Sequence, residues 1–260
     1  MSRTGKVSRR DWLSSAIGSL SVLALSACDR IAQSAGVNAT LDEAESWTRR
    51  AQRWMLGRHA LAREFAESDI SKEFRANGTT NPDTEEYNRL AAGAFAGWRL
   101  GVGGLVERPL ALSLAELRAM PARTQITRHD CVEGWSCIGK WRGTPLKAVL
   151  DQAGLKAAAR YIAFYCADSL ELALDGTGQY YETIDLIDAT HPQTILAYDM
   201  NDRPLDIPHG APLRVRLERQ LGYKMAKYIM RIEAIESYAQ IGRGKGGYWE
   251  DRGYQWYAGI

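Results

Sequence analysis

Cys131 stands in the run His129-Asp130-Cys131-Val132-Glu133-Gly134-Trp135-Ser136, and Trp141-Arg142-Gly143-Thr144-Pro145-Leu146 follows closely. The run sets one thiol among polar and aromatic residues where a strand gives way to a loop. A thiolate is a soft ligand for a redox metal and also a nucleophile, so both chemistries are open to it. Two plainer readings stand beside them: a buried thiol, or a disulfide partner of Cys137. Asp130 and Glu133 are acids that could pass protons, or surface charges and backbone caps. Trp135 and Trp141 could wall a pocket or fill core. No Cys-x-x-Cys pair occurs in the chain, so c-type haem attachment and the common zinc patterns are excluded.

The elements around this run read as short strands with few helices. Residues 125–129 form a strand leading into the Cys131 loop. Thr144 and Pro145 suit an N-cap and first helical position, with Gly154 closing that helix. Ser113 and Glu116 make a capping box for a helix that ends near Met120-Pro121. Alternation predicts strands at Trp98–Val102 and Leu213–Leu217, and apolar runs predict others at 161–166, 170–174, 195–200 and 229–237. Asn77–Asp83 is a turn-rich loop, and Asn201-Asp202 a turn. Gly242–Ile260, rich in Gly, Tyr and Trp, is expected to wrap the surface with its aromatics as anchors. The fold class that results is α+β, mostly β, with a helical N-terminal extension. That extension carries a capping box at Thr40–Glu43. Behind it Leu41, Ala44, Trp47, Ala51, Trp54 and Met55 recur at helical spacing, through to about Phe65, to pack on the domain or on a membrane partner.

The chain has 260 residues, 45% of them hydrophobic and 25% charged, which suits a globular protein with a sizeable core. Residues 1–27 carry a net +3 of the formal +2, which leaves −1 on the rest and no argument for nucleic acid. Ser8-Arg9-Arg10-Asp11-Trp12-Leu13 resembles a twin-arginine export motif. The apolar stretch Ala16–Leu25 is shorter than the roughly 20 residues a membrane-spanning helix needs. Leu25-Ser26-Ala27-Cys28 resembles a lipobox. The expected organisation is therefore an export signal over 1–28, a tether and helix over 29–73, and a catalytic domain over 74–260. The expected location is the periplasmic face of the cytoplasmic membrane, with attachment through lipidated Cys28 or an uncleaved signal. With Cys28 lipidated, three cysteines remain, so at least one thiol lies outside intramolecular pairing.

Four separated segments, taken in order, resemble the sulfite oxidase superfamily, and within it the catalytic subunit of bacterial periplasmic methionine-sulfoxide reductase. They are Phe74-Arg75-Ala76-Asn77, the Cys131 run, Ala163-Phe164-Tyr165-Cys166, and Pro208-His209-Gly210-Ala211-Pro212-Leu213-Arg214 continued by Gly222-Tyr223-Lys224-Met225-Ala226-Lys227. The resemblance covers roughly residues 74–236 and implies a molybdenum-molybdopterin cofactor. It implies Cys131 as the molybdenum ligand and catalytic residue. It also implies Asn77, Cys166, His209, Arg214, Met225, Ala226 and Lys227 as cofactor contacts. Arg214 would offer a planar fork, Lys227 a point charge, and the N–H groups of Met225 and Ala226 a phosphate seat at a helix start. Without the resemblance, Arg214 reads as a solvent-facing strand residue, His209 as a turn histidine, and Lys224 and Lys227 as a solvated helix face.

The chain departs from the family pattern at three places. Cys137 replaces a methionine, with a structural role the simpler reading, and Cys166 replaces a threonine. Cys131 is followed by an acid, where sulfite oxidases carry arginines, and an acid beside the metal repels a dianion. The activity implied is oxygen-atom transfer, such as sulfoxide reduction, on a small molecule or an oxidised side chain, with electrons from a membrane b-type cytochrome. The alternatives are a related dehydrogenase that passes electrons to a cytochrome, and a non-catalytic binding lipoprotein.

Overall fold

The computed structural model describes residues 34–171 and 178–260. The export motif, the apolar stretch and Cys28 lie outside the described residues. Contacts divide the chain into two units, one ending at Gln52 and the other running from Arg53 to Ile260. In the first unit the described residues are helical from Ala35 onward, and this helix, α1, continues to Leu56. It starts earlier than the Thr40 capping box predicts. The Thr40 hydroxyl instead donates to the Gly36 carbonyl inside the helix, at 2.9 Å, a common use of a mid-helix threonine. The helix also ends earlier than Phe65, where Gly57 takes φ +69°. Among the described residues no helix is long and apolar enough to cross a membrane.

Two sheets build the second unit. The first has the order β2 (Leu110–Ser113), β1 (Arg99–Gly104), β10 (Ile229–Ile235), β5 (Tyr161–Ser169), β6 (Gln179–Asp185). Its β1–β10 pair is parallel and its other pairs antiparallel. The second has the order β3 (Arg123–Asp130), β4 (Ser136–Pro145), β7 (Ile195–Met200), β8 (Arg203–Pro204), with β9 (Arg214–Arg216) also on β7, all antiparallel. Short helices join them: α2 (Glu85–Ala92), α3 (Leu114–Ala119), α4 (Leu146–Ala153) and α5 (Leu186–Ala189). This is the mostly β, α+β architecture that the sequence predicts.

Local signals hold where they involve neighbours. Ser113 and Glu116 form the capping box of α3. Helix α4 starts one residue later than expected. β4 runs through Pro145, and the Thr144 hydroxyl donates to the Leu117 carbonyl at 2.7 Å instead of capping. The strand expected from Leu170 is not there in the described residues; the partner of β5 is β6, whose central Tyr180–Ile184 run is buried on both faces. Such a strand lacks the alternation that identifies a half-buried one. No helix follows Lys224: Gly222–Lys224 is a single 3-10 turn, and Met225 leaves it with φ −95°, ψ 76°.

The main core lies around β1, β5, β10, α3 and α4, with Trp98, Leu117, Leu150, Phe164 and Ile232 among its fully buried members. A smaller core gathers Phe74, Trp141, Ile195, Ala197 and Ala211. Residues 53–73 lie along the second sheet: Phe65 N–H donates to Ile126 and Ser71 N–H to Ile138. Arg53 pairs with Asp185 and Asp188 at 2.8 and 3.0 Å, while Trp54, on the same helical turn, is 85% exposed.

Candidate active site and cofactor cradle

β3 and β4 make a hairpin in which Asp130 pairs with Ser136, and Cys131–Trp135 form the connecting loop. Two backbone bonds shape it: Cys131 N–H to Trp135 O, and Gly134 N–H to Cys131 O, each 3.0 Å. Gly134 sits at φ +84°, a conformation that favours glycine. Cys131 is thus the first residue past a rigid ladder. It is half-buried, and Cys131, Cys137 and Cys166 are all free thiols, so the Cys131–Cys137 disulfide is not formed. Burial raises the Cys131 thiol, with the Glu133 charge acting the same way, and outweighs the backbone hydrogen bonds from Glu133 and Val132 and the charge of Arg75, which lower it. The net rise is opposite to the lowering that activates a nucleophilic cysteine.

Cys131 opens onto a cleft of about 130 Å³. The cleft brings together four residues expected at the site: Cys131, Asn77, Met225 and Lys227. It adds Glu133 and Asp168, and it draws Tyr223, Trp249 and Tyr254 into its wall. Ala226 is buried beside this group but does not line it. Asp130 is engaged by Arg128 and Ser136, and Glu133 accepts from Trp135 Nε1 at 2.9 Å.

The other expected contacts sit behind the cleft. Arg214 is fully buried, not solvent-facing, and lies over the Trp141 ring at 5.0 Å. Its Nη1 donates to the His209 carbonyl at 3.0 Å, while Nε and Nη2 have no protein partner. Burial and the nearby Arg216 both disfavour its charge and lower it to about 9. Arg216 is bound in bidentate fashion by Glu218, at 3.0 and 2.7 Å, and donates to His129 Nδ1 at 3.0 Å. Burial and Arg216 keep His129 neutral. His209 faces Phe74 O at 2.9 Å and Asp206 at 2.6 Å and borders a separate hollow with Met200 and Pro204.

Lys227 is buried, not solvated. Its ammonium donates to the carbonyls of Asn77 (2.6 Å), Pro208 (2.9 Å) and Thr79, so it clamps the Asn77 loop to the His209 loop. Burial, with Arg214 nearby, lowers it to about 7. Met225 N–H bonds Gly222 O at 3.1 Å, within the turn rather than at a helix start. Cys166 is fully buried in the main core, and its carbonyl accepts from Gln179 at 2.8 Å. Asp168, two residues further along β5, reaches the cleft. Burial pushes Asp168 up to about 6, against the Thr79 hydroxyl and the charge of Lys227, which pull it down. Sequence reasoning missed Asp168, although the two-residue period of a strand puts it on the face of Cys166.

A group with donors, acceptors and negative charge fits these residues. Buried polar atoms are normally paired, yet Asn77 Oδ1 and two nitrogens of Arg214 are buried without partners, and the Thr79 hydroxyl and the Asp168 carboxylate face each other. A pterin brings N–H donors for the oxygens. Its phosphate or metal end brings the anion that an unpaired guanidinium lacks.

Residues 89–241 match the family model described as oxidoreductase molybdopterin binding domain. An Azospira oryzae protein, named provisionally as protein-methionine-sulfoxide reductase subunit YedZ1, is 39% identical over 80% of this chain and 71% of its own length. The protein-methionine-sulfoxide reductase catalytic subunit MsrP of Xanthomonas axonopodis is 36% identical over 54% of this chain, which spans 45% of that relative. Among solved structures, the sulfane dehydrogenase SoxCD of Paracoccus pantotrophus aligns over 55% of this chain and 39% of its own, with TM-score 0.48 and 19% identity. By its family match and the relative it shares most of its length with, the chain belongs to the oxidoreductase molybdopterin-binding domain family of the sulfite oxidase superfamily, and is an enzyme whose cofactor is molybdenum-molybdopterin.

Proposed function

We propose that this enzyme reduces sulfoxides, as the catalytic subunit of an exported methionine-sulfoxide reductase, with Cys131 as the protein ligand of molybdenum. One observation carries the reading. Among the described residues that line the Cys131 cleft, Lys227 is the only cation, and its three N–H groups are engaged by carbonyls. The carboxylate beside the thiol is Glu133. A site so built suits a neutral oxygen donor and repels a sulfite dianion.

When bound, molybdenum-molybdopterin supplies two-electron oxygen-atom transfer. The chain's own residues do the rest. Arg214 would hold the anionic end of the cofactor, and Asn77, Thr79 and Asp168 would offer acceptors to its ring. Lys227 fixes the two loops that carry these groups. Glu133, at the mouth and oriented by Trp135 Nε1, takes and gives protons at its carboxylate. The balance is a sulfoxide plus two electrons and two protons, giving a thioether and water. The electrons come from a membrane b-type cytochrome. Export follows the twin-arginine route, and attachment is through lipidated Cys28 or the uncleaved signal.

The test uses holoprotein purified from its exported location. Dye-driven reduction of methionine sulfoxide is expected, with Cys131→Ser losing both activity and molybdenum while its circular dichroism stays unchanged. Oxidative turnover of small sulfur compounds without sulfoxide reduction would favour the dehydrogenase reading.

A further inference from the structure

The cleft has a rim that no other part of the site requires. Trp249 and Tyr254, both from the C-terminal tail, line it together with Cys131, Val132 and Glu133. Their rings stack at 5.3 Å and 26°. Tyr254 also meets the Tyr223 ring edge-on at 5.1 Å. The pair is held in place from three sides. Tyr254 N–H donates to Trp249 O at 3.0 Å. The Tyr223 hydroxyl donates to Gln255 O at 2.6 Å. Glu250, between the two rings in sequence, is locked to buried Lys224 at 2.5 Å.

Trp249 packs partly against the main core, while Tyr254 stacks on it and stays open to solvent, so the pair is an anchored aromatic surface at the cleft. Tyr254 is 40% exposed and Val132, in the same lining, 43%. Such faces attract apolar groups and polarised C–H and sulfur atoms. They offer an anion nothing.

We propose that the Trp249–Tyr254 stack is the substrate wall of the enzyme, seating the S-methyl and methylene groups of a methionine sulfoxide side chain while the sulfoxide oxygen points toward Cys131. The assignment rests on the sulfoxide-reductase reading and adds to it the residues that choose the substrate. A methionine sulfoxide side chain presents a methylene chain as well as an S-methyl group to the wall, whereas dimethyl sulfoxide presents methyl groups alone. The wall therefore favours the side chain over the compact molecule.

The test compares wild-type holoenzyme with Trp249→Ala, Tyr254→Ala and Tyr254→Phe, using N-acetylmethionine sulfoxide and dimethyl sulfoxide. Each alanine variant is expected to raise KM for N-acetylmethionine sulfoxide at least tenfold, with kcat within twofold and molybdenum content unchanged. KM for dimethyl sulfoxide is expected to rise less than threefold. Tyr254→Phe keeps the ring and is expected to restore the wild-type KM. Unchanged KM in both fully loaded alanine variants overturns the wall. So does a KM change accompanied by loss of molybdenum, which makes the stack part of the cofactor cradle. Should wild-type holoenzyme reduce no sulfoxide, the functional reading fails separately. Tryptophan fluorescence then decides the wall: quenching by N-acetylmethionine sulfoxide that is lost in Trp249→Phe supports it, and no quenching overturns it.

Discussion

The Lys224 ammonium lies 2.5 Å from the Glu250 carboxylate, and neither side chain is more than 1% exposed. Glu182 sits equally close on the other side, so one buried cation joins β6 to the C-terminal tail. Its neighbourhood explains one glycine. A Cβ at Gly247 would come within 2.0 Å of Glu250 and 2.9 Å of Glu182. Replacing Lys224 by Met leaves two buried carboxylates facing each other. Removing one partner of a buried pair typically costs about 3–5 kcal/mol. Urea denaturation should show a loss of that order, and trypsin should cut at Arg252 faster than in the wild type.

Arg214 gives a prediction with two signs. Its guanidinium is buried with two unpaired nitrogens beside another arginine. Without cofactor such a charge opposes folding. Arg214→Met should raise the melting temperature of the cofactor-free protein. In cells that make molybdopterin the same variant should keep less than about a tenth of the wild-type molybdenum, the equivalent of losing about 1.4 kcal/mol of binding. Elemental analysis and thermal melting together check both halves.

Asp168 predicts a pH dependence. Burial raises it from an ordinary 3.8 to about 6. Between these values the folded protein holds a proton that the unfolded chain has released. The stabilisation is therefore complete below about pH 4 and is lost as pH rises through about 6. For the cofactor-free protein, stability relative to Asp168→Asn should fall by up to about 3 kcal/mol between pH 4 and pH 7. Denaturation midpoints measured across that range would show a flatter profile in the variant.

Gly222 marks where the Cys131 hairpin meets the turn that leads to Met225 and Lys227. A Cβ there would come within 2.4 Å of the His129 ring, which is fully buried and fixed by Arg216. The ring has no room to retreat. Gly222→Ala should cost about 1–3 kcal/mol and lower cofactor content with it. Gly103, with open space around it, is the control position. Chemical denaturation and pterin fluorescence of the two variants provide the comparison.

What the sequence revealed depended on how far apart the interacting groups lie. The Ser113–Glu116 cap was legible because its partners are three residues apart. The same signal at Thr40 misled, because a helix that has already begun uses the hydroxyl differently. β6 went unread because Glu182 and Thr183 are both fully buried. Lys224 compensates Glu182 and Gly246 O accepts from Thr183, both from distant parts of the chain. Arg214 and Arg216 look like ordinary polar strand residues until Trp141 and Glu218 are placed around them. The motifs singled out the Cys131 loop and the Asn77 loop, and both line one cleft. They did not show that Lys227 binds loops together, or that the tail helps form the mouth.

The cleft takes its walls from positions as far apart as Asn77 and Trp249. Contacts across such sequence distances form late, after the local hairpins. The thiol therefore rests on a short-range hairpin, while the aromatic side of the cleft depends on long-range contacts of the tail. A change that loosens the tail alters the mouth and leaves the Cys131 hairpin with its own ladder.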